Sequence, residues 1–153
     1  MVATAPRAQV DELSVRVFDA QGAPIIAGEV KSRPQDRRRE IQELQEMARA
    51  AGFHYALFVD LKSVQLFDLS KAPDAPPILE LPTRALLDAY ASGIGEEKVL
   101  GQYLQRIVDT WFRNLLFPIP DYPRPPGVER LRELGLLSRI DGGEARVALG
   151  DYF

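Results

Sequence analysis

The sequence has no cysteine, a single histidine (His54) and no apolar run near the 18 residues that a membrane-spanning helix needs. Without cysteine the chain can form neither a disulfide nor a thiolate metal site, and it has no thiol nucleophile. One histidine excludes zinc sites built from several imidazoles. Residues 1–12 also lack the apolar segment of a secretory signal peptide. We therefore expect a soluble, cytoplasmic protein that does not enter a membrane.

The basic residues are concentrated in one place, although the formal net charge is -3. An acidic balance argues against a protein that binds nucleic acid over its whole surface. Five of the 19 basic residues nevertheless fall within nine positions, which would suit local contact with phosphates: Lys31, Arg33, Arg37, Arg38 and Arg39.

The first half of the chain has the pattern of a mixed α/β sheet. Alternating or continuous apolar stretches predict strands, and apolar residues at three- and four-residue spacing predict a helix between them. The predicted elements are strands over 13–19 and 24–32, a helix over 35–51, and strands over 53–60 and 64–69. The first two strands form a hairpin around the turn at 20–23.

The second half of the chain is predicted to be mainly helical. A wide apolar face on the longest predicted helix, 95–117, has to be buried against the sheet or against a partner. The Asp-Gly-Gly sequence at 141–143 predicts a hairpin over 138–149. The predicted organisation is a Pro-rich loop over 70–82, a short helix over 83–91, an α/β domain over 1–117, a Pro-rich linker over 118–126, and a small C-terminal helix-plus-hairpin appendage over 127–153.

The residues that suggest chemistry are Glu29-Val30-Lys31, near the end of the second strand. Positions 29 and 31 are two apart, so both side chains leave the same face of the sheet. A carboxylate can hold Mg²⁺ through oxygen. A neighbouring lysine can position water or balance charge in the transition state of phosphodiester hydrolysis.

With this motif and the order hairpin, helix, strand, strand over residues 11–70, the sequence resembles the PD-(D/E)xK nuclease superfamily. Within it, the N-terminal nuclease domains of type I restriction subunits are the most similar. The resemblance implies a restriction-endonuclease-like fold, a mixed sheet flanked by helices. It also implies Mg²⁺-dependent hydrolysis of DNA.

The resemblance also implies roles for individual residues. Glu29, Lys31 and Gln45 would be catalytic, with Gln42 as the alternative to Gln45. Glu29 would bind Mg²⁺ together with Glu12 or Asp11. The arginines of the basic segment would contact DNA phosphates: Arg33, Arg37, Arg38 and Arg39.

The sequence departs from the family in two ways. Centring the hairpin between Gln21 and Gly22 places Ser14 opposite Glu29, where the family has an aspartate, and Glu12 opposite Lys31. The family's opening helix and strand do not fit ahead of residue 13. The chain is therefore truncated there, or helix 95–117 or a second subunit fills that space.

These departures favour a second hypothesis, a catalytically inactive nuclease-fold module for binding or assembly. It would form a homo-oligomer through helix 95–117, or join a larger complex. A third hypothesis is a small adaptor in which residues 128–149 form a wing-like binding unit.

Overall fold

The computed structural model describes residues 13–91, 101–117 and 120–148. The strands are β1 (Val15–Phe18), β2 (Pro24–Val30), β3 (Tyr55–Val59), β4 (Ser63–Asp68), β5 (Leu79–Pro82) and β6 (Glu144–Val147). The helices are α1 (Arg37–Ala50), α2 (Thr83–Tyr90), α3 (Gly101–Leu116), α4 (Val128–Glu133) and α5 (Leu136–Ile140).

All six strands belong to one sheet, in the order β5-β4-β3-β2-β1-β6. β2 and β3 are parallel, because α1 crosses from the end of one to the start of the other. The other neighbouring strands are antiparallel. The predicted class, a mixed α/β sheet flanked by helices, is confirmed.

The hairpin has the predicted register over residues 15–17 and shifts by one residue beside the turn, where Phe18 lies opposite Pro24. Val15 lies opposite Gly28 and Val17 opposite Ile26, as expected for a turn centred between residues 21 and 22. The Asp19 carboxylate closes the turn by accepting backbone hydrogen bonds from Gln21 and Ala23, which is a local signal of the kind that fixes hairpin register. Continuing this register one pair outward places Ser14 across from Glu29.

The two faces of the sheet carry separate cores. On one face, Leu44 and Ala48 of α1 pack over Ala27, Phe58 and Phe67. The opposite face is covered by the remaining helices, and α3 supplies more of the buried apolar side chains there than any other helix: Leu104, Ile107, Val108, Trp111 and Phe112.

The burial of α3 bears on the prediction that helix 95–117 binds a second copy of the chain. The apolar stripe of the predicted helix 95–117 needed a surface to cover it, and in the described part, 101–116, the sheet of the same chain provides that surface. Association of copies through this helix stays a prediction. Residues 92–100 lie outside the described residues.

Two predictions for loops and turns are wrong. The Pro-rich stretch over 70–82 contains a strand, β5, which pairs with β4. The hairpin predicted over 138–149 is instead a helix followed by a single strand, α5 and β6. β6 pairs with β1, with Val147 opposite Val15, because β1 would otherwise have an open edge.

The segment predicted as a C-terminal appendage therefore contributes to the main sheet and its core. Leu131 of α4 and both Leu136 and Ile140 of α5 are buried in the same cluster as α3. Gly135, with φ of +76°, separates the two short helices, where one was predicted.

Candidate functional site at the ends of β2 and β3

The parallel pairing of β2 and β3 brings together the residues that follow each strand. The Lys31 amide donates to the Val59 carbonyl at 2.9 Å, which extends the pairing by one residue beyond β2. The Leu61 amide then donates to the Ser32 carbonyl at 3.4 Å. Segments 31–33 and 60–62 therefore lie side by side, with the first turn of α1 above them.

Lys31 is held by a carboxylate of α1. Its Nζ lies 2.7 Å from Oε1 of Glu40, and the two side chains are 44% and 18% exposed. The other carboxylate oxygen, Oε2, accepts the Asp36 amide at 3.2 Å, so Glu40 is itself fixed at the start of the helix. The hydrogen bond that Lys31 donates to Glu40 raises the pKa of Lys31. Burial opposes that shift, and the charges of Glu40, Glu29 and Glu43 add to it. Lys31 is therefore a positioned cation at neutral pH.

The raised pKa of Lys31 predicts a specific alkaline effect on stability. A group with a raised pKa in the folded state stabilises the protein below its unfolded pKa, and this contribution is lost as the pH rises through the folded value. We expect Lys31→Met to be less stable than the native chain at pH 8, with the difference shrinking above the ordinary lysine pKa of 10.5. Urea unfolding at several pH values measures this. A difference that is constant up to pH 12 would contradict it.

Asp60 is a buried carboxylate that sequence reasoning did not single out. Its side chain is 3% exposed, and its Oδ2 lies 2.7 Å from Nε of Arg37. Its Oδ1 accepts the backbone amides of Lys62 at 2.8 Å and Ser63 at 2.9 Å. The carboxylate thus organises the β3–β4 turn, and its charge is matched by one guanidinium.

Arg37 holds several elements together. Besides Asp60, it donates to Oε1 of Gln65 at 2.9 Å and to the Ser63 hydroxyl. Its guanidinium carbon lies 5.9 Å from the centre of the Phe58 ring. These contacts give Arg37 a structural role, because they tie the start of α1 to the turn between β3 and β4. Its side chain remains 36% exposed, and the predicted contact with phosphate stays a prediction.

A cavity of about 490 Å³ opens beside these residues, lined by residues 32–35, Arg37 and residues 60–62. Arg33, Arg37 and Lys62 line it, and the acidic side chain among its lining residues is Asp60, which pairs with Arg37. Lys31 is the residue immediately before Ser32, the first of the lining residues. The arrangement suits an anionic ligand, because guanidinium and ammonium groups bind phosphate oxygens through charge-assisted hydrogen bonds.

The other two predicted arginines lie on the exposed side of α1. Arg38 is exposed and lines a second cavity, which Arg37 also borders. The Arg39 side chain is 75% exposed, and its Nε lies 3.1 Å from Oε1 of Glu43. Arg33, Arg37 and Arg38 therefore form a continuous basic path from one cavity to the next.

Gln45 is buried, at 3% exposed, and lines the second cavity, whose lining does not include Glu29 or Lys31. Lys31 donates its side-chain hydrogen bond to Glu40, and the orienting role predicted for Gln45 or Gln42 stays a prediction. The Oε1 atom of Gln45 is buried and has no hydrogen-bond partner among the described residues.

The predicted Mg²⁺ site rests on residues that the structure only partly describes. Glu29 lies in β2, and Ser14, its neighbour in the hairpin register, is 6% exposed. Asp11 and Glu12 lie outside the described residues. Among the described residues, no three histidine or acidic side chains are grouped so that they could hold a metal ion. The site stays a prediction.

The residues missed by sequence reasoning were Glu40, Asp60 and Lys62. Asp60 and Lys62 depend on the parallel crossover, since α1 returns the chain so that the residues after β3 meet the residues after β2. Glu40 depends on how the first turns of α1 lie over the end of β2. An apolar strand followed by Asp60 was a usable signal, because polar residues at the carboxyl ends of neighbouring parallel strands commonly share one site.

Searches of protein-family models, curated proteins and solved structures find no match to this chain. Within the described ranges, none of the helices combines the length and apolar character needed to span a bilayer.

Proposed function

We propose that the chain is a nuclease-fold module related to the PD-(D/E)xK superfamily, which binds the phosphate backbone of DNA without hydrolysing it. The observation that carries this proposal is the cavity at the ends of β2 and β3, lined by Arg33, Arg37 and Lys62 and adjoining Lys31. Phosphate contacts of this kind supply affinity without sequence preference.

The arrangement of elements supports the relationship. A hairpin with Glu-x-Lys on its second strand, then a helix and two strands, is the expected order, and β1, β2, α1, β3 and β4 follow it. α3 packs on the sheet and β6 pairs with β1, which supports the interpretation that later elements of the chain take the place of the family's opening helix and strand.

Two features of the site favour binding over hydrolysis. Ser14 stands where the family has its first-strand aspartate, and a neutral hydroxyl is a weaker Mg²⁺ ligand than a carboxylate. Lys31 is paired with Glu40 at 2.7 Å, which holds its ammonium group toward α1. The serine also lacks the negative charge that would repel phosphate, and the pairing with Glu40 weakens the case for Lys31 in a metal-assisted step.

Mg²⁺-dependent hydrolysis is the second candidate, favoured by the placement of Glu29 and Lys31 on one face at the end of β2. In this case Glu29 and either Glu12 or Asp11 would hold the ion, and Lys31 would position the attacking water. Incubating supercoiled plasmid with the protein and millimolar Mg²⁺ separates the candidates. We expect no nicking. Nicking that Lys31→Ala abolishes would establish hydrolysis.

Binding is tested with a double variant, Arg33→Gln with Arg38→Gln, which removes two exposed cations of the basic path. We expect roughly tenfold weaker binding to duplex DNA at 0.1 M salt, and a slope of log affinity against log salt reduced by about one per arginine. Fluorescence anisotropy over a salt series measures both quantities.

The matched control is Arg113→Gln with Arg132→Gln, which changes the net charge equally at two exposed positions on α3 and α4. It should keep nearly native affinity. Equal loss in the two double variants would mean that overall charge, and not the proposed site, governs binding.

A further inference from the structure

The outer side of β6 is an edge of the sheet that no described strand covers. The order of the strands makes β5 and β6 the two edges. β5 ends at Pro82, and the Ile78 carbonyl just before it accepts a hydrogen bond from Nε of Arg130 at 3.2 Å. β6 contains neither proline nor lysine, the residues that commonly keep an edge strand from pairing with another chain.

The hydrogen bonds to β1 determine which backbone groups of β6 face outward. The Ala148 amide donates to the Ser14 carbonyl at 2.8 Å, and these two residues lie directly opposite each other when the register of the two strands is continued by one pair. Hydrogen-bonded pairs alternate along an antiparallel ladder, so every second residue of β6 bonds to β1. The amide and carbonyl groups of the residues between, Ala145 and Val147, therefore point away from β1. No hydrogen bond from another described segment reaches them.

The charged side chains of β6 lie on the face of the sheet opposite α3. Ala145 and Val147 pack against the core to which α3 contributes, so Glu144 and Arg146, which alternate with them, point to the other face. Nε of Arg146 lies 3.0 Å from Oε1 of Glu144, and the two side chains are 54% and 59% exposed. β6 therefore presents a basic and an acidic group to solvent, two residues apart on one face.

Two copies of this strand complement each other in one register. In an antiparallel pair centred on Ala145, the outward backbone groups of the two Ala145 residues bond to each other, and each Glu144 lies opposite Arg146 of the other copy. These are non-hydrogen-bonded positions, where facing side chains are closest and opposite charges stabilise the pair. Centring the pair on Arg146 would instead bring two arginines together, which is destabilising.

We propose that β6 is an interface for a second copy of this chain, paired antiparallel and centred on Ala145, so that the two six-stranded sheets join into one. The contact is isologous, with Glu144 of each copy against Arg146 of the other. It uses few residues, and interfaces of small area give weak, concentration-dependent association. The inference is separate from the proposed binding of DNA and from the predicted association through helix 95–117.

Sedimentation velocity of the native chain over a concentration series, from ~5 to ~500 µM, tests the association. We expect the sedimentation coefficient to rise from that of one chain toward that of two. The rise should be smaller in about 1 M salt, where exposed charges are screened. A native chain that stays monomeric over the whole series, as it would if another segment of the same chain occupied the edge, would overturn the inference.

Two charge reversals test the register. Glu144→Arg places arginine against arginine at both ends of the contact, and Arg146→Glu places glutamate against glutamate. Each protein alone should therefore associate at least roughly tenfold more weakly than the native chain. An equimolar mixture of the two variants restores opposite charges at both positions and should associate about as well as the native chain. Native-like association of either variant alone, or a mixture no stronger than its components, would overturn the inference.

The control is Glu46→Arg, at an exposed position of α1, which changes the net charge by the same amount as Glu144→Arg. It should associate as the native chain does. Equal weakening by these two substitutions would mean that overall charge governs association, and the interface at β6 would be wrong. The concentration series with the native chain needs no variant to fold.

Discussion

Replacing Arg37 with methionine is expected to lower the free energy of unfolding by about 3 kcal/mol. The substitution leaves the carboxylate of Asp60 buried at 3% exposure without its guanidinium partner. Breaking a buried ion pair from one side costs about 3–5 kcal/mol, because the remaining charge is uncompensated. The lower end applies here, since two backbone amides still donate to Asp60. Urea unfolding followed through Trp111 fluorescence measures the change.

The control for this prediction is Arg39→Met on the same helix. Arg39 and Glu43 are 75% and 60% exposed, so removing their ion pair should cost less than about 1 kcal/mol. Adding Asp60→Asn to Arg37→Met should restore part of the loss, because the amide carries no charge and keeps an oxygen for the two backbone donors. If Arg37→Met cost no more than Arg39→Met, the structural role given to Arg37 would be wrong.

The second large effect is expected from Gly143→Ala, in the turn between α5 and β6. A Cβ at this position would collide with the Phe18 carbonyl oxygen and lie 2.8 Å from the Ile140 carbonyl oxygen. Both are backbone atoms, so relief requires β6 to move away from β1. Overpacking of this severity costs about 3 kcal/mol or more.

Gly22→Ala provides the comparison. Gly22 has a φ of +82° and nothing within 4 Å of the added Cβ, so only backbone strain of about 1–2 kcal/mol applies. Thermal and urea unfolding of both variants distinguishes the stability lost to the collision from the stability lost to backbone strain. Equal losses would mean that the backbone of Phe18 does not approach Gly143, and the place of β6 beside β1 would have to be reconsidered.

The parts of the fold that could be predicted are those fixed by local pattern. The register of the β1–β2 hairpin followed from centring one turn, and α1 followed from apolar spacing around Leu44 and Ala48. The C-terminal strand could not be predicted in this way. The Asp-Gly-Gly sequence satisfies hairpin rules, and only the open edge of β1, more than a hundred residues earlier, decides where β6 pairs.

The candidate site also has features that local pattern predicts and features that depend on long-range pairing. Glu29 and Lys31 could be placed on one face by their spacing alone. Asp60 could not be assigned as a partner of Arg37, because that contact joins segments that meet only when β2 and β3 pair in parallel. The Glu40 contact with Lys31 depends on the angle at which α1 leaves β2, which the sequence pattern does not give. Burial of Gln45 follows from its place on the packed face of α1, but the missing partner of its oxygen depends on how the surrounding elements pack.

The pairing of β6 with β1 has a consequence for the protein during its synthesis. The hairpin, α1 and the two strands after it can assemble while the rest of the chain is still being made, but one side of β1 must wait for residues 144–147. At roughly 5–20 residues per second, that delay is on the order of ten seconds. Through this interval the nascent chain presents an unpaired strand edge, which other extended chains can join, so its yield should depend on chaperones that cover such edges.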